Sequence, residues 1–396
     1  MAEKREVVVV SAVRTAIGTF GGTLKDFSSS QLGSVAVKEA IARAKIDVAQ
    51  IGHLVCGNVI HGEPRDMYVS RAIALDSGMT KESCALTLNR LCGSGLQAIV
   101  TAANAIQLGD TDAAIGCGVE TMSRSGYLVP AMRFGARMGD TKVIDMMIGA
   151  LTDPFSPNHM GITAENVAAQ FGITREAQDA FSVESQRRAV AAIDAGHFKS
   201  QIVPVEIQTR KGTTIFDTDE HPKRDTTMES LAKLKPAFKK EGGTVTAGNA
   251  SGINDGAAAV VLMKAGAAAK AGAKPLARLV SYAVAGVDPS IMGTGPIPAV
   301  KLALQRAGLR VADLDVIESN EAFAAQACSV SKELGLDPAK VNPNGGAVAL
   351  GHPLGATGAI LTVKCLAELA RTGKRYGLVT MCIGGGQGIA AIFERI

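Results

Sequence analysis

Asn89-Arg-Leu-Cys92-Gly-Ser-Gly-Leu-Gln-Ala98 follows the alternating segment Cys84-Ala-Leu-Thr-Leu88 and opens onto a small-residue run from Leu96 to Leu108. The alternation reads as a strand and the run as a helix, so Cys92 falls at a strand-to-helix junction. Backbone N–H groups and the positive end of a helix dipole favour a thiolate there. Gly93 and Gly95 would let the main chain approach a bound carbonyl. Taken alone, a Cys-Gly pair is more often a buried core cysteine beside flexible glycines. The remainder of the chain decides between the two.

Outward from this junction, strand and helix patterns alternate. Val7-Val-Val-Val10 is a β-branched run suited to a strand covered on both faces. Ser28, with Gln31 three residues on, fits a capping box for a helix of about 16 residues ending near Lys45. Ile51 to Ile60 reads as a second strand, and Ala113 to Cys117 as another once the helix closes at Gly109. Such spacing implies right-handed βαβ units and a largely parallel sheet.

The same programme recurs downstream. Pro298 opens a helix closed by Gly308. Val311-Ala-Asp-Leu314 leads into Val316-Ile-Glu-Ser-Asn320 as Val48-Ala-Gln-Ile51 leads into Leu54-Val-Cys-Gly57, and Gly377 to Cys382 matches Ala113 to Cys117. Gly351-His-Pro-Leu-Gly-Ala-Thr-Gly358 precedes a helix from Ala359 to Leu369, the place that Cys92-Gly-Ser-Gly95 holds in the first half. On this reading Cys92 and His352 occupy equivalent turns, at the kind of sheet end where ligands collect in open α/β folds. Thr121 to Ala250 reads as an insertion between the halves. It carries Arg124, Arg133 and Arg137 in a Gly/Met-rich loop, a helical stretch from Thr174 to Ala195 and a turn-rich segment from Thr209 to Lys223. Ala257 to Met263 returns to the first sheet, and Ala265 to Lys274 is a polar link.

A chain of 396 residues exceeds one ordinary core, so two or three packed units are expected. Hydrophobic residues at 47% and charged residues at 20% exclude a disordered chain. Aromatics are 4%, Trp is absent and Gly numbers 44. The core must then be Ala, Val, Ile and Leu in close backbone packing, without aromatic platforms for single-stranded nucleic acid. A net charge of +4 from scattered Lys and Arg suits an anionic small molecule and no nucleic-acid partner. The seven cysteines show no Cys-x-x-Cys spacing, which reads as reduced thiols in the cytoplasm, with no disulfide framework and no metal site. After Met1-Ala-Glu-Lys-Arg-Glu the apolar run is only Val7 to Val10, and no apolar span reaches bilayer length. Neither a signal peptide nor a membrane partner is expected.

Three further motifs accompany the Cys92 turn: Asn320-Glu-Ala-Phe323, Gly351-His352-Pro and Cys382-Ile-Gly-Gly-Gly386. Singly they read as a cap, a turn residue and a core cysteine. Together they bring two thiols, an imidazole and an amide to strand ends flanked by glycines. A histidine beside Cys92 can take its proton, and the Gly-rich segments offer N–H groups to an oxyanion.

In this combination the chain resembles the thiolase family over essentially its whole length, and most of all bacterial β-ketothiolases, which interconvert two acyl-CoA molecules with a 3-ketoacyl-CoA. The resemblance implies an α/β fold of two similar βαβαβαββ halves in a five-layer αβαβα core, with an inserted loop domain. The units would be residues 1–121 with the nucleophile, the loop domain 122–251, the return strand and linker 252–274, and the second half 275–396. It implies Cys92 as nucleophile, His352 as its base and Cys382 as the acid/base for the α-proton. Asn320 would hold a water that forms one oxyanion hole with His352, and the N–H groups of Cys92 and Gly384 would form the other.

The resemblance also places Ser251, His159, Met160, Ser230, Phe238, Met292, Ala322 and Phe323 near CoA. The family's arginine beside the nucleotide aligns with Lys223, next to Arg224, and Lys lacks the planar fork of Arg. Arg90 stands where many acetoacetyl-CoA thiolases have Gln. CoA is implied as substrate and product with no bound cofactor. The loop with Arg124, Arg133 and Arg137 implies a homotetramer, a dimer of dimers. A ketoacyl synthase would have a histidine in place of Cys382, and a non-catalytic acyl-CoA carrier would not need Cys92, Asn320, His352 and Cys382 together.

Overall fold

The computed structural model describes residues 5–210 and 212–396; the lead-in at 1–4, read above for a targeting signal, lies outside the described residues. In the first half, β1 (Val7–Thr15), β2 (His53–Gly57), β3 (Cys84–Leu88) and β4 (Ala113–Thr121) alternate with α1 (Ser29–Ala44), α2 (Val69–Asp76) and α3 (Ser94–Leu108). The insertion holds α4 (Met160–Phe171), α5 (Arg175–Asp194) and a hairpin of β5 (Val205–Thr209) with β6 (Gly212–Phe216); β7 (Asn254–Lys264) then returns to the first sheet. The second half runs β8 (Ala277–Gly286), α6 (Pro296–Ala307), β9 (Val316–Ser319), α7 (Ala324–Leu334), α8 (Leu354–Thr372), β10 (Tyr376–Ile383) and β11 (Gln387–Arg395). The expected capping box is present: the Ser28 hydroxyl accepts from the Gln31 N–H, and the Gln31 side chain accepts from the Ser28 N–H.

Apart from the separate β5–β6 hairpin, the strands named above follow one path, β9-β10-β11-β8-β1-β7-β4-β2-β3. Among the described residues its two halves pair at Val8 opposite Arg278 and Val9 opposite Ala277. Within each half the order and sense repeat. β7 lies antiparallel between β1 and β4, as β11 does between β8 and β10, and β2 runs parallel to β4, as β9 does to β10. Even the register irregularity recurs, between Val9 and Ser11 in β1 and between Leu279 and Ser281 in β8. The sheets are therefore mixed, where alternation of strand and helix signals implied largely parallel ones. The cause is the closing strand of each half. Only the turn at 384–386 joins β10 to β11, and so short a link can make only an antiparallel pair.

Helices α3 and α8 lie between the two sheets and touch each other. α8 meets β1, β4 and β7 on one side and β9 and β10 on the other. α1 and α2 cover the outer face of the first sheet, and α6 covers that of the second, giving five layers αβαβα with three apolar cores. Residues of β1 alternate between cores: Val7 and Val9 face the middle layer, Val8 and Val10 the outer one. Each Val or Ile so buried contributes about 1.5–3 kcal/mol.

Several segments differ from their sequence reading, among them the strand expected over Ile51 to Ile60, which is only His53–Gly57. α8 starts at Leu354, not Ala359, and α6 at Pro296, while residues 265–270 form a short helix within the supposed link. Glycine disfavours helices intrinsically, which hid the start of α8. The glycines are there for packing: a Cβ on Gly95 of α3 would come 2.7 Å from the Ala359 nitrogen and 2.8 Å from the Gly355 oxygen of α8.

Residues 217–222 are strapped to the end of β1. Arg14, fully buried, holds both oxygens of Asp219 at 2.7 and 2.8 Å, and Asp219 also accepts from the Ile17 N–H at 2.9 Å. Removing one member of a buried ion pair strands the other without solvation. Asp219→Ala should cost about 3–5 kcal/mol, seen as an earlier denaturant midpoint; an unmoved midpoint would show that Arg14 finds another partner.

Candidate active site

The Cys92 turn is built by its neighbours. The Asn89 side chain accepts from the Leu91 N–H at 2.8 Å, while the Ser94 hydroxyl accepts from the Arg90 N–H at 2.8 Å and donates to the Leu91 carbonyl at 2.7 Å. Asn89 and Ser94 thus occupy fixed places in the motif because each closes one side of the turn. Arg90 enters it through its backbone, so Arg in place of Gln leaves these bonds intact. Leu91 sits at φ 45°, in the left-handed region that costs a bulky residue energy, and directly precedes Cys92.

The sequence reading favoured a thiolate at Cys92, and the structure corrects it. Although the residue as a whole is half-buried, desolvation of the sulfur pushes the thiol up to about 11, against the pull of the Gly384 and Cys92 backbone N–H groups, which both point at it. The helix end and the two N–H groups are present, but the interior costs more than they return. Cys382, fully buried at the end of β10, is raised beyond the usual thiol range by burial and then by the nearby Cys92.

His352 is buried, which lowers its pKa to about 4, so the ring is neutral. Its tautomer follows from its partners. Thr357 gives its single hydroxyl proton to the Pro353 carbonyl at 3.0 Å, so at 2.6 Å it must accept from His352 Nδ1–H. Nε2 therefore carries the lone pair, and it faces Asn320 Nδ2 at 3.5 Å. Asn320 Oδ1 is buried and has no protein partner among the described residues.

The other sequence candidates converge on the same region. A cleft of about 750 Å³ is lined by His159, Lys223, Phe238, Ser251, Phe323 and His352, and an adjoining one of about 550 Å³ by Lys223, Arg224 and Ser230. His159 stacks on Phe238 with ring centroids 4.6 Å apart, and Phe323 meets Phe238 edge-on at 6.2 Å. Met160, Met292, Ala322 and Phe323 form an apolar cluster with Cys382, and the Ser251 N–H donates to the Ala322 carbonyl at 3.0 Å. Arg224 is already engaged by both oxygens of Asp194, at 2.8 and 3.0 Å, which leaves Lys223 as the cation common to both clefts.

Sequence reading missed Glu120, Asn254 and His221. Buried Glu120 accepts from Asn58 and from the Val59, Ile60 and Gly355 N–H groups, joining the first half to the start of α8. Burial pushes it up to about 8. An acidic residue closing the buried run Gly118-Val-Glu120 was the available signal. Asn254 accepts from the His352 N–H at 2.9 Å, and His221 lines both clefts.

The raised Cys92 thiol has a direct consequence. Below a pKa of about 11 thiolate is scarce and grows with pH, so iodoacetamide alkylation of Cys92 in the free protein should rise about tenfold per unit between about pH 7 and pH 9. A rate that levels off near pH 7 would show that the thiol is not raised.

Comparison with known proteins agrees with this geometry. The family described as "Thiolase, N-terminal domain" matches residues 7–266, and "Thiolase, C-terminal domain" matches residues 273–395. The chain is 66% identical to beta-ketothiolase BktB of Cupriavidus necator, over 99% of this chain and 100% of that one. It is 51% identical to acetyl-CoA acetyltransferase of Escherichia coli, again over 99% and 100%. Human mitochondrial 3-ketoacyl-CoA thiolase in complex with CoA superposes with a TM-score of 0.96 at 45% identity, covering 100% of this chain and 99% of that one. Repeated halves, paired cysteines and these full-length likenesses place the chain in the thiolase family.

Proposed function

We propose that the protein catalyses the reversible Claisen condensation of two acyl-CoA molecules, acetyl-CoA with acetyl-CoA or another short acyl-CoA, to a 3-ketoacyl-CoA and CoA. It is an acyltransferase, and CoA is its substrate and product. The observation that carries the reading is the neutral His352, whose Nε2 holds its lone pair with only a long 3.5 Å contact to Asn320 Nδ2, in a site that also holds two desolvated thiols.

Acyl transfer comes first. His352 Nε2 takes the proton of Cys92, the sulfur attacks the thioester carbonyl, and the bond to the CoA sulfur breaks as Cys382 gives that sulfur a proton. Acetyl-Cys92, imidazolium and a Cys382 thiolate remain. In the second half the Cys382 thiolate removes an α-proton from the next acetyl-CoA, and the resulting carbanion attacks acetyl-Cys92. The Cys92 sulfur leaves and recovers its proton from His352, which restores every group. Burial suits Cys382 to this step, because a thiol of raised pKa gives a stronger base once ionised. The N–H groups of Cys92 and Gly384 would hold one oxyanion, and His352 with a water held by Asn320 the other, each donor contributing about 3 kcal/mol.

The clefts supply the rest. His159, Phe238, Phe323, Met160, Met292, Ala322 and Ser251 would flank pantetheine, and Ser230, Lys223 and Arg224 the nucleotide end. The functional units we propose are 1–121 for the nucleophile, 122–251 for CoA and assembly, 252–274 as return and linker, and 275–396 for Asn320, His352 and Cys382. A ketoacyl synthase reading lacks its histidine at the place of Cys382. No helix among the described residues is long and apolar enough to cross a membrane, and we place the reaction in the cytoplasm.

Cys382→Ser should still acylate Cys92 from a reactive thioester yet scarcely exchange the α-hydrogens of acetyl-CoA with deuterated water, because a hydroxyl is far too weak an acid near pH 7. Condensation by that variant at close to the parent rate would remove Cys382 from the reaction. A homotetramer is also proposed. Tyr127, Met132, Phe134 and Met138 are exposed in the loop that carries Arg124, Arg133 and Arg137, an apolar surface suited to a second copy. Sedimentation at micromolar concentration should give four chains; a monomer would defeat the proposal.

A further inference from the structure

We propose that Asn254 is a positioning residue for His352, and that His221, the third partner of the Asn254 carboxamide, steadies it and so joins the mouth of the cleft to the imidazole. The proposal rests on the reading of His352 as the base of acyl transfer. Asn254 is fully buried at the start of β7. Its Oδ1 accepts from the His352 N–H at 2.9 Å, and its Nδ2 donates to the Gly18 carbonyl at 3.0 Å. No other orientation works. A flipped amide would set NH2 against the His352 N–H and oxygen against the Gly18 carbonyl. The fit is close as well: Gly351 lies at φ +104°, and a Cβ there would sit 2.5 Å from Asn254 Oδ1 and 2.6 Å from Nδ2.

That orientation fixes the state of His221. Asn254 Nδ2 faces His221 Nδ1 at 3.4 Å, and because the amide group is the donor, Nδ1 must be the acceptor and Nε2 must carry the proton. Burial first, then Lys223, lowers the His221 pKa to about 4, which keeps the ring neutral. The ring is itself held on a strapped segment. Asp219 is clamped by Arg14, and Glu220 accepts from the Thr19 N–H at 2.8 Å and from the Thr23 hydroxyl at 2.7 Å. His221 also lines both clefts, so acyl-CoA lies beside the group that steadies Asn254. Loss of the Nδ1 acceptor frees the carboxamide to tilt, which moves the His352 peptide and with it Nε2.

The test compares His221→Leu, which removes the acceptor, with His221→Asn, whose side-chain carbonyl can replace Nδ1. Acylation of Cys92 by acetyl-CoA is followed by rapid quench and mass spectrometry, beside steady-state kcat and KM. His221→Leu should acylate about 10- to 100-fold more slowly, as expected when a base is displaced by about an ångström, with KM changed less than about threefold. His221→Asn should recover most of the rate. Asn254→Asp keeps the acceptor for His352 but loses both donors, and it should fall with His221→Leu. Full-rate acylation by His221→Leu, a loss confined to KM, or a loss that His221→Asn does not repair would each overturn the proposal. His352→Ala is run alongside. Parent-rate acylation there overturns the base reading and this inference together, whereas slow His352→Ala with full-rate His221→Leu overturns this inference alone.

Discussion

The contact between α3 and α8 is the constraint on which the site depends. Each helix follows a turn that carries a reactive group, Cys92 before α3 and His352 before α8, and both are packed between the two sheets. Gly95 meets Gly355 and Ala359 at a distance no larger side chain permits. Their N-terminal ends therefore converge, and so do the turns. Glu120 reinforces the same junction by accepting N–H groups from both halves. The low aromatic content now has a physical reason, since a middle layer shared by two sheets leaves room for Ala, Val, Ile and Leu but little for larger groups.

The resting site is electrically quiet. Both cysteines are raised and His352 is lowered, each chiefly by burial, so desolvation keeps all three neutral. Charge would then appear only when a thioester is present to receive it, and donors already in place would meet it without reorganisation. Alkylating side reactions on a standing thiolate are correspondingly slow.

Much of this was legible in the chain. The capping box at Ser28 and Gln31, the strands around Ala113 and Leu378, and the internal repeat all carry local signals, and the folded chain keeps them. Strand sense was not legible, because a run such as Ala257 to Met263, buried on both faces, has the same composition whichever way it runs. The start of α8 was hidden because its glycines serve a contact with a helix more than 250 residues earlier. The Cys92 junction could be seen but not its desolvation, which the layers around it create. Asn254 follows Ser251 by only three positions, yet its partner His352 lies 98 residues away.

Apart from the short pairings of Gly18–Thr19 and Ile202–Val203 with the first sheet, the two halves match strand for strand except at one place. Where the first half has β3, a full edge strand, the second has only a single bridge, between Ile317 and Val341. Strict two-fold repetition would deliver the same residue twice to the centre. The lapse in symmetry lets residues 342–353, anchored at Asn342 and containing one helical turn at Ala347–Leu350, lead to the turn that carries His352. A duplicated frame thereby becomes a heterogeneous pair, one half bringing a thiol and the other an imidazole to equivalent turns.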